Sequence, residues 1–446
     1  MPKQLPTMAE KTPQRITLLQ RLRKAILFLR LVGYGLRTYY NFFSRSLSAQ
    51  IANRRATPDP SIGPSDVKNI VIVGAAFSGL YAARLLAGAV PRNGRYRIVV
   101  IEPNSHFNFT WVFPRFCVVD GHEHKAFIPY SPDFFDMGPK GLVQWVRDRV
   151  TELTRESVIL RSGEAIPYEY LIIATGSNVA DGLPSRAGVE DKEEAIELLK
   201  AMQNRVKNAS HIVVAGGGAA GVETATDAKD HYPDKSVTIV HSRQALMHRF
   251  GNGLQQGTSE AMERLGVEVI LGEKVLPESV DGKYITLSSG KKIECDCFIN
   301  CTGQKPASGI VASLAPNAIA PSGHIRVKPN LQIDDDSLPN VYVCGDVAQA
   351  EVRNPNSRVA ARQAEICADN VVRAVKGKTP KYIFTEGFGD GVIKLTLGLD
   401  RSITQYFDGK SELLFPAEEP DLDLMCKGTW AAMGARPFED TGVYSE

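Results

Sequence analysis

The chain has 446 residues, enough for two or three domains of ordinary size, and its 43% hydrophobic and 23% charged residues read as a globular protein. Its net charge of +2 is uneven: residues 1–55 hold eleven Lys or Arg and one acid, Glu10, and taking these from the totals of 52 and 50 leaves 41 basic and 49 acidic side chains in the rest. A mildly acidic body excludes a general nucleic-acid binder, and only the head is basic. Seven scattered cysteines with no C-x-x-C exclude a disulfide framework and point to a reducing, intracellular compartment. Cys295 and Cys297 read as ordinary strand residues, and no metal site is expected.

The first predicted element is a helix. Leu18, Leu22, Ala25, Leu29, Val32, Leu36, Tyr40 and Phe43 recur at steps of three and four and share one face, with Arg15, Arg23, Arg30 and Arg37 off it. Charges interrupt the segment too often for a bilayer span. The pattern suits a helix lying on an anionic membrane surface. Packing on the body, pairing with another copy in a homodimer, and a cleaved mitochondrial presequence compete with that reading. Pro2 after Met1 excludes N-myristoylation. Ala52 to Ser65, with Pro58, Pro60 and Pro64, reads as linker, so residues 1–66 form head and linker.

Ile70 to Val73 predicts a buried parallel strand, followed by Gly74-Ala75-Ala76-Phe77-Ser78-Gly79 and a helix over Leu80 to Ala87. The loop reads G-x-A-x-x-G. Gly74 makes the turn, Ala76 stands where a strict fingerprint has glycine, and Gly79 lets the helix close on the strand, so that its N-terminus meets phosphate. The next strand, Tyr96 to Ile101, ends at Glu102, 23 residues past Gly79 and placed to accept from a ribose. Further on, Tyr170 to Ile173 is an apolar strand ending in Ala174-Thr175-Gly176.

A second unit repeats the first. Ile212 to Ala215 leads into an unbroken G-x-G-x-x-G with Gly216, Gly218 and Gly221, and Glu223 lies in the first turn of the following helix. The strand Ser236 to Val240 ends in His241-Ser242-Arg243, with no carboxylate where an NAD-selective site has one. A ribose 2′-phosphate would meet His241 and Arg243, so NADPH is allowed and NADH is not excluded. Cys297 to Gly303 repeats the apolar-strand-then-Thr-Gly theme and returns the chain to the first unit. Val341 to Cys344 is another strand, ending in Gly345-Asp346. Val392 to Leu397 and Ser402 to Phe407 read as a hairpin, and residues 412–446 as a tail holding Trp430.

Both strands that end in a small turn, with the two loops in this order, resemble the flavoprotein disulfide-reductase superfamily. The fold expected is α/β, with two Rossmann-like dinucleotide-binding domains and a small C-terminal α+β region. The flavin domain comprises 67–177 and 300–378, the NAD(P)H domain 178–299, and the C-terminal region 379–446. The resemblance implies FAD at the first site, with Asp346 on the ribityl chain, and places Glu223 near the nicotinamide. Neither nucleotide helix carries a cysteine pair, so the electrons go to an outside acceptor.

The block from Ser105 to Arg115, continuing through Cys117, Val118, Gly121 and Lys125 to Ile128, with Ile239 to Ser242, narrows the resemblance. It is similar to apoptosis-inducing-factor-like, mitochondrion-associated oxidoreductases of the ferroptosis-suppressor type, and more distantly to type II NADH dehydrogenases. The likeness covers about residues 67–400. It implies FAD, NAD(P)H and a quinone-like acceptor, with the protein peripheral to a mitochondrial membrane or to the cytosolic face of a lipid droplet. It also implies that Lys125 lies near the flavin and counts Arg115, Ser78 and Gly303 among the cofactor-binding residues. A redox-sensing flavoprotein with slow turnover and a reductase of a small electron-transfer protein are the competing readings.

Overall fold

The computed structural model describes residues 18–440 apart from 56, 58, 136–140, 180–181 and 277–282. The Met1-Pro2 start, Arg15, Pro58 of the linker and residues 441–446 of the tail lie outside the described residues.

In chain order, α1 (Leu18–Arg54) precedes β1 (Lys68–Val73), α2 (Phe77–Ala89) and β2 (Tyr96–Ile101). After α3 (Phe113–Phe116) come β3 (Val143–Val146) and β4 (Tyr170–Ile173). The second unit runs α4 (Lys192–Asn208), β5 (His211–Ala215), α5 (Ala219–His231), β6 (Ser236–His241), α6 (Asn252–Leu265), β7 (Glu268–Leu271) and β8 (Cys297–Asn300). The chain then passes through β9 (Val341–Val343) and α7 (Ser357–Val375) and ends in β10 (Ile393–Thr396), β11 (Arg401–Phe407), β12 (Glu412–Glu418) and α8 (Cys426–Ala432).

Two parallel sheets result. The first has the order β9-β4-β1-β2-β3 and the second β7-β6-β5-β8. Their strands are unbroken apolar runs because both faces are covered: Ile70, Val71, Ile72, Ile98, Val99 and Val100 are all buried. In each sheet the strand before the glycine loop has its sequence-adjacent partner on one side and a late strand on the other. That reversal opens a crevice at the carboxyl ends of β1 and β5, where α/β sheets bind ligands. β9 pairs with β4, Val341 opposite Leu171, so the chain leaves the first sheet, builds the second and comes back. α2 buries Gly79, Ala82, Ala83 and Ala87, small residues that let other elements approach closely, and α7 packs on it. The Asn356 side chain caps α7 by accepting from the N–H groups of Arg358 and Val359 at 2.9 and 3.1 Å.

The expected hairpin is present as β10 and β11, with Thr396 opposite Ser402. Over its described part, 412–440, the stretch read as a tail is structured, which corrects that expectation. β12 adds a third, antiparallel strand, and α8 buries Trp430 at 1% exposure. β12 was hidden in the sequence because it holds Pro416 and lies largely exposed, as an edge strand tolerates.

α1 continues three residues into the predicted linker. It rests on the body with a face other than the predicted stripe, which overturns the reading that the stripe packs on the body. Leu27 and Ala49 are buried, and the Tyr34 ring fills the space in which a Cβ on Gly389 would stand. Arg45 bridges Asp369 and Glu365 of α7 at 2.7 and 2.8 Å. The stripe itself faces outward: Leu18 is 85% exposed, Leu29 and Tyr40 69%, and Leu36 67%. Among the described residues, no helix is long and apolar enough to cross a membrane.

Candidate functional site

The first loop is shaped by backbone contacts. Gly74 has φ +94, and a Cβ there would lie 2.6 Å from the Ala174 carbonyl oxygen. A Cβ on Gly79 would lie 1.8 Å from the Gly74 oxygen, so α2 sits as close to β1 as a backbone allows. Ala76 is exposed at the mouth of α2, where free helix N–H groups favour an anion. Glu102 is buried beneath the loop, and its oxygens accept from Ala75 N–H at 2.6 Å and Asn104 N–H at 3.0 Å. Burial pushes its carboxyl up, and those two N–H groups pull it back. The structure brings Ser78 against Gly345: a Cβ on Gly345 would lie 2.5 Å from Ser78 Oγ. Gly345 N–H donates to Gln363 Oε1 at 2.7 Å. Asp346 is half-buried, with Arg186 at 3.6 Å. Thr175 donates its hydroxyl to the Ala307 carbonyl at 2.7 Å, and Gly176 faces open space. Segments remote in sequence thus meet at the carboxyl ends of β1, β2, β4 and β9. Gly303 stands exposed beyond β8, also with open space at its Cβ position.

The second loop repeats the geometry. Gly216 has φ +115, and a Cβ on Gly221 would lie 1.9 Å from the Gly216 oxygen. Gly217 is hemmed in by side chains, because its Cβ would meet His241 Cγ and Leu246 Cδ2, both at 2.6 Å. Gly218 alone of the three is exposed and open, so its backbone is free for close approach by a pyrophosphate. A cavity of about 810 Å³ opens beside the loop and is lined by Gly216, Gly218, His241, Ser242, Asn300 and Thr302. Its volume suits a dinucleotide. His241 does not point freely into it: its Nδ1 accepts from Gly217 N–H at 3.1 Å. Burial holds this imidazole below its usual range, with His248 and Arg243 adding to the effect. Arg243 is exposed and does not line the cavity, whereas His248, Arg249 and Lys274 do. No local motif announces these three; only the fold carries them to the rim.

Three site residues meet different partners from those expected. Arg115 is 1% exposed. Its Nε donates to Asp227 at 2.7 Å, and its terminal nitrogens donate to the carbonyls of Gly398 and Leu399 at 2.9 and 3.3 Å. Its fork is used within the protein, tying α3, α5 and the β10–β11 turn together, so it is corrected from a cofactor ligand to a structural residue. Lys125 is anchored by the C-terminal segment. Its ammonium pairs with Asp423 at 3.0 Å, contacts His122 Nδ1 at 3.0 Å and stands 4.8 Å from the Phe438 ring centre. Glu223 is buried on α5, and its carboxyl accepts from Thr396 N–H at 3.2 Å. Burial pushes it up to about 8, and Asp227 one turn away adds to the rise. Its burial favours the protonated, uncharged form.

The family model described as pyridine nucleotide-disulphide oxidoreductase matches residues 68–365. The chain belongs to that family. Fe-regulated protein 8 of Mycosarcoma maydis is 31% identical over 401 residues, spanning 85% of this chain and 98% of that protein. Ferroptosis suppressor protein 1 of Homo sapiens is 31% identical over 388 residues, spanning 84% and 98%. Among solved structures, the sulfide:quinone oxidoreductase of Aquifex aeolicus superposes with a TM-score of 0.66 at 16% identity, over 84% of this chain and 93% of that one, a likeness of fold alone. Within the pyridine nucleotide-disulphide oxidoreductases the chain falls with the ferroptosis-suppressor and apoptosis-inducing-factor-like group. It is an NAD(P)H-dependent flavoprotein oxidoreductase that uses FAD.

Proposed function

We propose that the chain passes electrons from NAD(P)H, through FAD in the first site, to a quinone-type acceptor at a membrane surface on which α1 lies. When bound, FAD would supply the redox chemistry between the nicotinamide and the acceptor. The chain supplies binding and placement. In the first site the α2 N-terminus from Ala76 to Gly79 takes the pyrophosphate, Glu102 the ribose and Asp346 the ribityl chain, beside Ala174, Thr175, Gly176 and Gly345. In the second, Gly216, Gly218 and Gly221 would hold the nicotinamide dinucleotide, with His241 lining the same cavity. Gly303 borders the junction of the two units. Glu223, whose burial favours its protonated form, is the acid placed on α5 near the nicotinamide end.

The outward stripe of α1 carries the membrane reading. Apolar side chains run along 37 residues, flanked by Arg21, Arg23, Lys24, Arg30 and Arg37, with no acid in the helix. An outward apolar face flanked by cations alone suits anionic lipid. The surface is that of a mitochondrial membrane or lipid droplet, with the protein peripheral. In a flotation assay with anionic vesicles, Leu22→Glu with Leu36→Glu stays in solution while wild type floats. Turnover of both with a soluble short-chain quinone is the same. Equal flotation removes the membrane assignment. Turnover only with a small electron-transfer protein removes the quinone, and negligible turnover with every acceptor favours the sensor.

Lys125 is proposed as a fixed cation serving the flavin site, oriented by Asp423. Lys125→Ala is expected to lower quinone turnover about tenfold or more while FAD stays bound. Wild-type turnover in that variant removes the role.

A further inference from the structure

Beyond β6 the chain turns back on itself. Met247 holds φ +52, a left-handed conformation that a side chain other than glycine rarely adopts. It is buried, and its N–H donates to the Gly217 carbonyl at 2.8 Å. This one bond ties the turn to the second glycine loop and sets the next two residues, His248 and Arg249, on the cavity rim. Lys274, just past β7, lines the same cavity.

The rim is a chain of donors. His241 Nδ1 accepts from Gly217 N–H, so its Nε2 carries the hydrogen. Nε2 lies 3.3 Å from His248 Nδ1 and donates to it. The remaining N–H of His248 is then a donor with no partner inside this relay. Burial, then the neighbouring cations Arg249 and Arg243, hold His248 below its usual range, so fixed positive charge at neutral pH comes from the arginines. Among the described residues, Arg243, Arg249 and Lys274 have no carboxylate within ion-pair distance. Among the described residues that line the cavity the one acid, Glu273, is turned to Ser288 Oγ and to Ser289 N–H at 3.0 Å. A ribose diol wants a carboxylate at the end of β6, and His241 stands there; a phosphate wants what surrounds it.

We propose that the chain selects NADPH over NADH, with Arg249 and His248 binding the ribose 2′-phosphate and Arg243 and Lys274 adding to the field. This deepens the nicotinamide reading above and rests on it. The binding step needs no chemistry beyond charge-assisted hydrogen bonds, about tenfold or more for each well-placed one.

The test uses the FAD-loaded protein and two adenosine fragments that differ only in the 2′-phosphate, adenosine 2′,5′-bisphosphate and adenosine 5′-monophosphate. By calorimetry the bisphosphate is expected to bind about tenfold tighter or better, a preference that Arg249→Glu and, more weakly, His248→Ala remove. In steady state with excess short-chain quinone, Arg249→Glu is expected to lower the ratio of kcat/KM for NADPH to that for NADH by about 30-fold, through KM. Arg249→Lys retains much of the preference, which separates charge from a folding defect. Equal affinity for the two fragments in wild type, or an unchanged NADPH to NADH ratio in Arg249→Glu, overturns the proposal. Anaerobic flavin reduction separates it from the reading beneath. Reduction by NADH alone sinks NADPH selection and leaves the nicotinamide site standing; no reduction by either sinks both.

Discussion

Gly79→Val is expected to give protein that purifies without flavin. The Cβ position at Gly79 lies 1.8 Å from a backbone oxygen, that of Gly74, and 3.2 Å from the Ala174 Cβ. A flexible side chain is able to swing aside; a carbonyl that closes a strand–loop–helix turn is not. α2 must back away from β1 by about the missing contact distance, and overpacking of this kind costs about 1–3 kcal/mol or more. The larger loss is aim. The free N–H groups of the α2 N-terminus bind an anion only when the loop presents them together. Displacement also pushes Ser78, which touches Gly345, against the remote strand that supplies Asp346. Occupancy is read as the ratio of released FAD to protein, with Gly309→Ala as control because a Cβ there meets nothing within 4 Å. Wild-type FAD occupancy in Gly79→Val would show that the first loop is not where the flavin is held.

How much of this was legible in the sequence follows from how local each signal is. The glycine loops and their strands are read at once, because turn, helix start and buried strand all fall within some thirty residues. The return of β9 to the first sheet was readable only through the Gly345-Asp346 ending. The stripe of α1 was visible as periodicity, but which face the body covers was not, since Tyr34 and Arg45 are set by partners beside Gly389 and on α7. Arg115 was misread for the same reason: a basic residue in a resembling block looks like a ligand until its partner, Asp227, is brought over from α5. His248 and Arg249 carry no motif at all. They matter through one left-handed residue, Met247, and that is a tertiary fact.

The second large effect is expected at that buried pair. Arg115 and Asp227 are 1% and 0% exposed, and they join at 2.7 Å. Arg115→Met removes the cation and leaves a carboxyl in an apolar place, at a cost of about 3–5 kcal/mol near neutral pH. Asp227 is already raised by burial, with Arg115 opposing the rise; without Arg115 it rises further. An acid raised in the folded state binds its proton more tightly there than in the unfolded chain. Its stability contribution is therefore full below the unfolded value and lost as pH climbs toward the folded one. The deficit of Arg115→Met should shrink from pH 8 to pH 5, and adding Asp227→Asn should recover most of it at pH 8. Glu223 obeys the same sign. Moved from 4.5 to about 8, it weakens the fold progressively between those values and by a constant amount above them. Glu223→Gln, which mimics the protonated carboxyl, should match wild type near pH 5 and exceed it at pH 9 by up to about 4–5 kcal/mol. Thermal melts of the FAD-loaded proteins across that range decide both. Parallel curves for Arg115→Met and wild type would mean that Asp227 is not held as a buried anion, and a Glu223→Gln curve without the alkaline gain would mean that Glu223 is ionised at neutral pH.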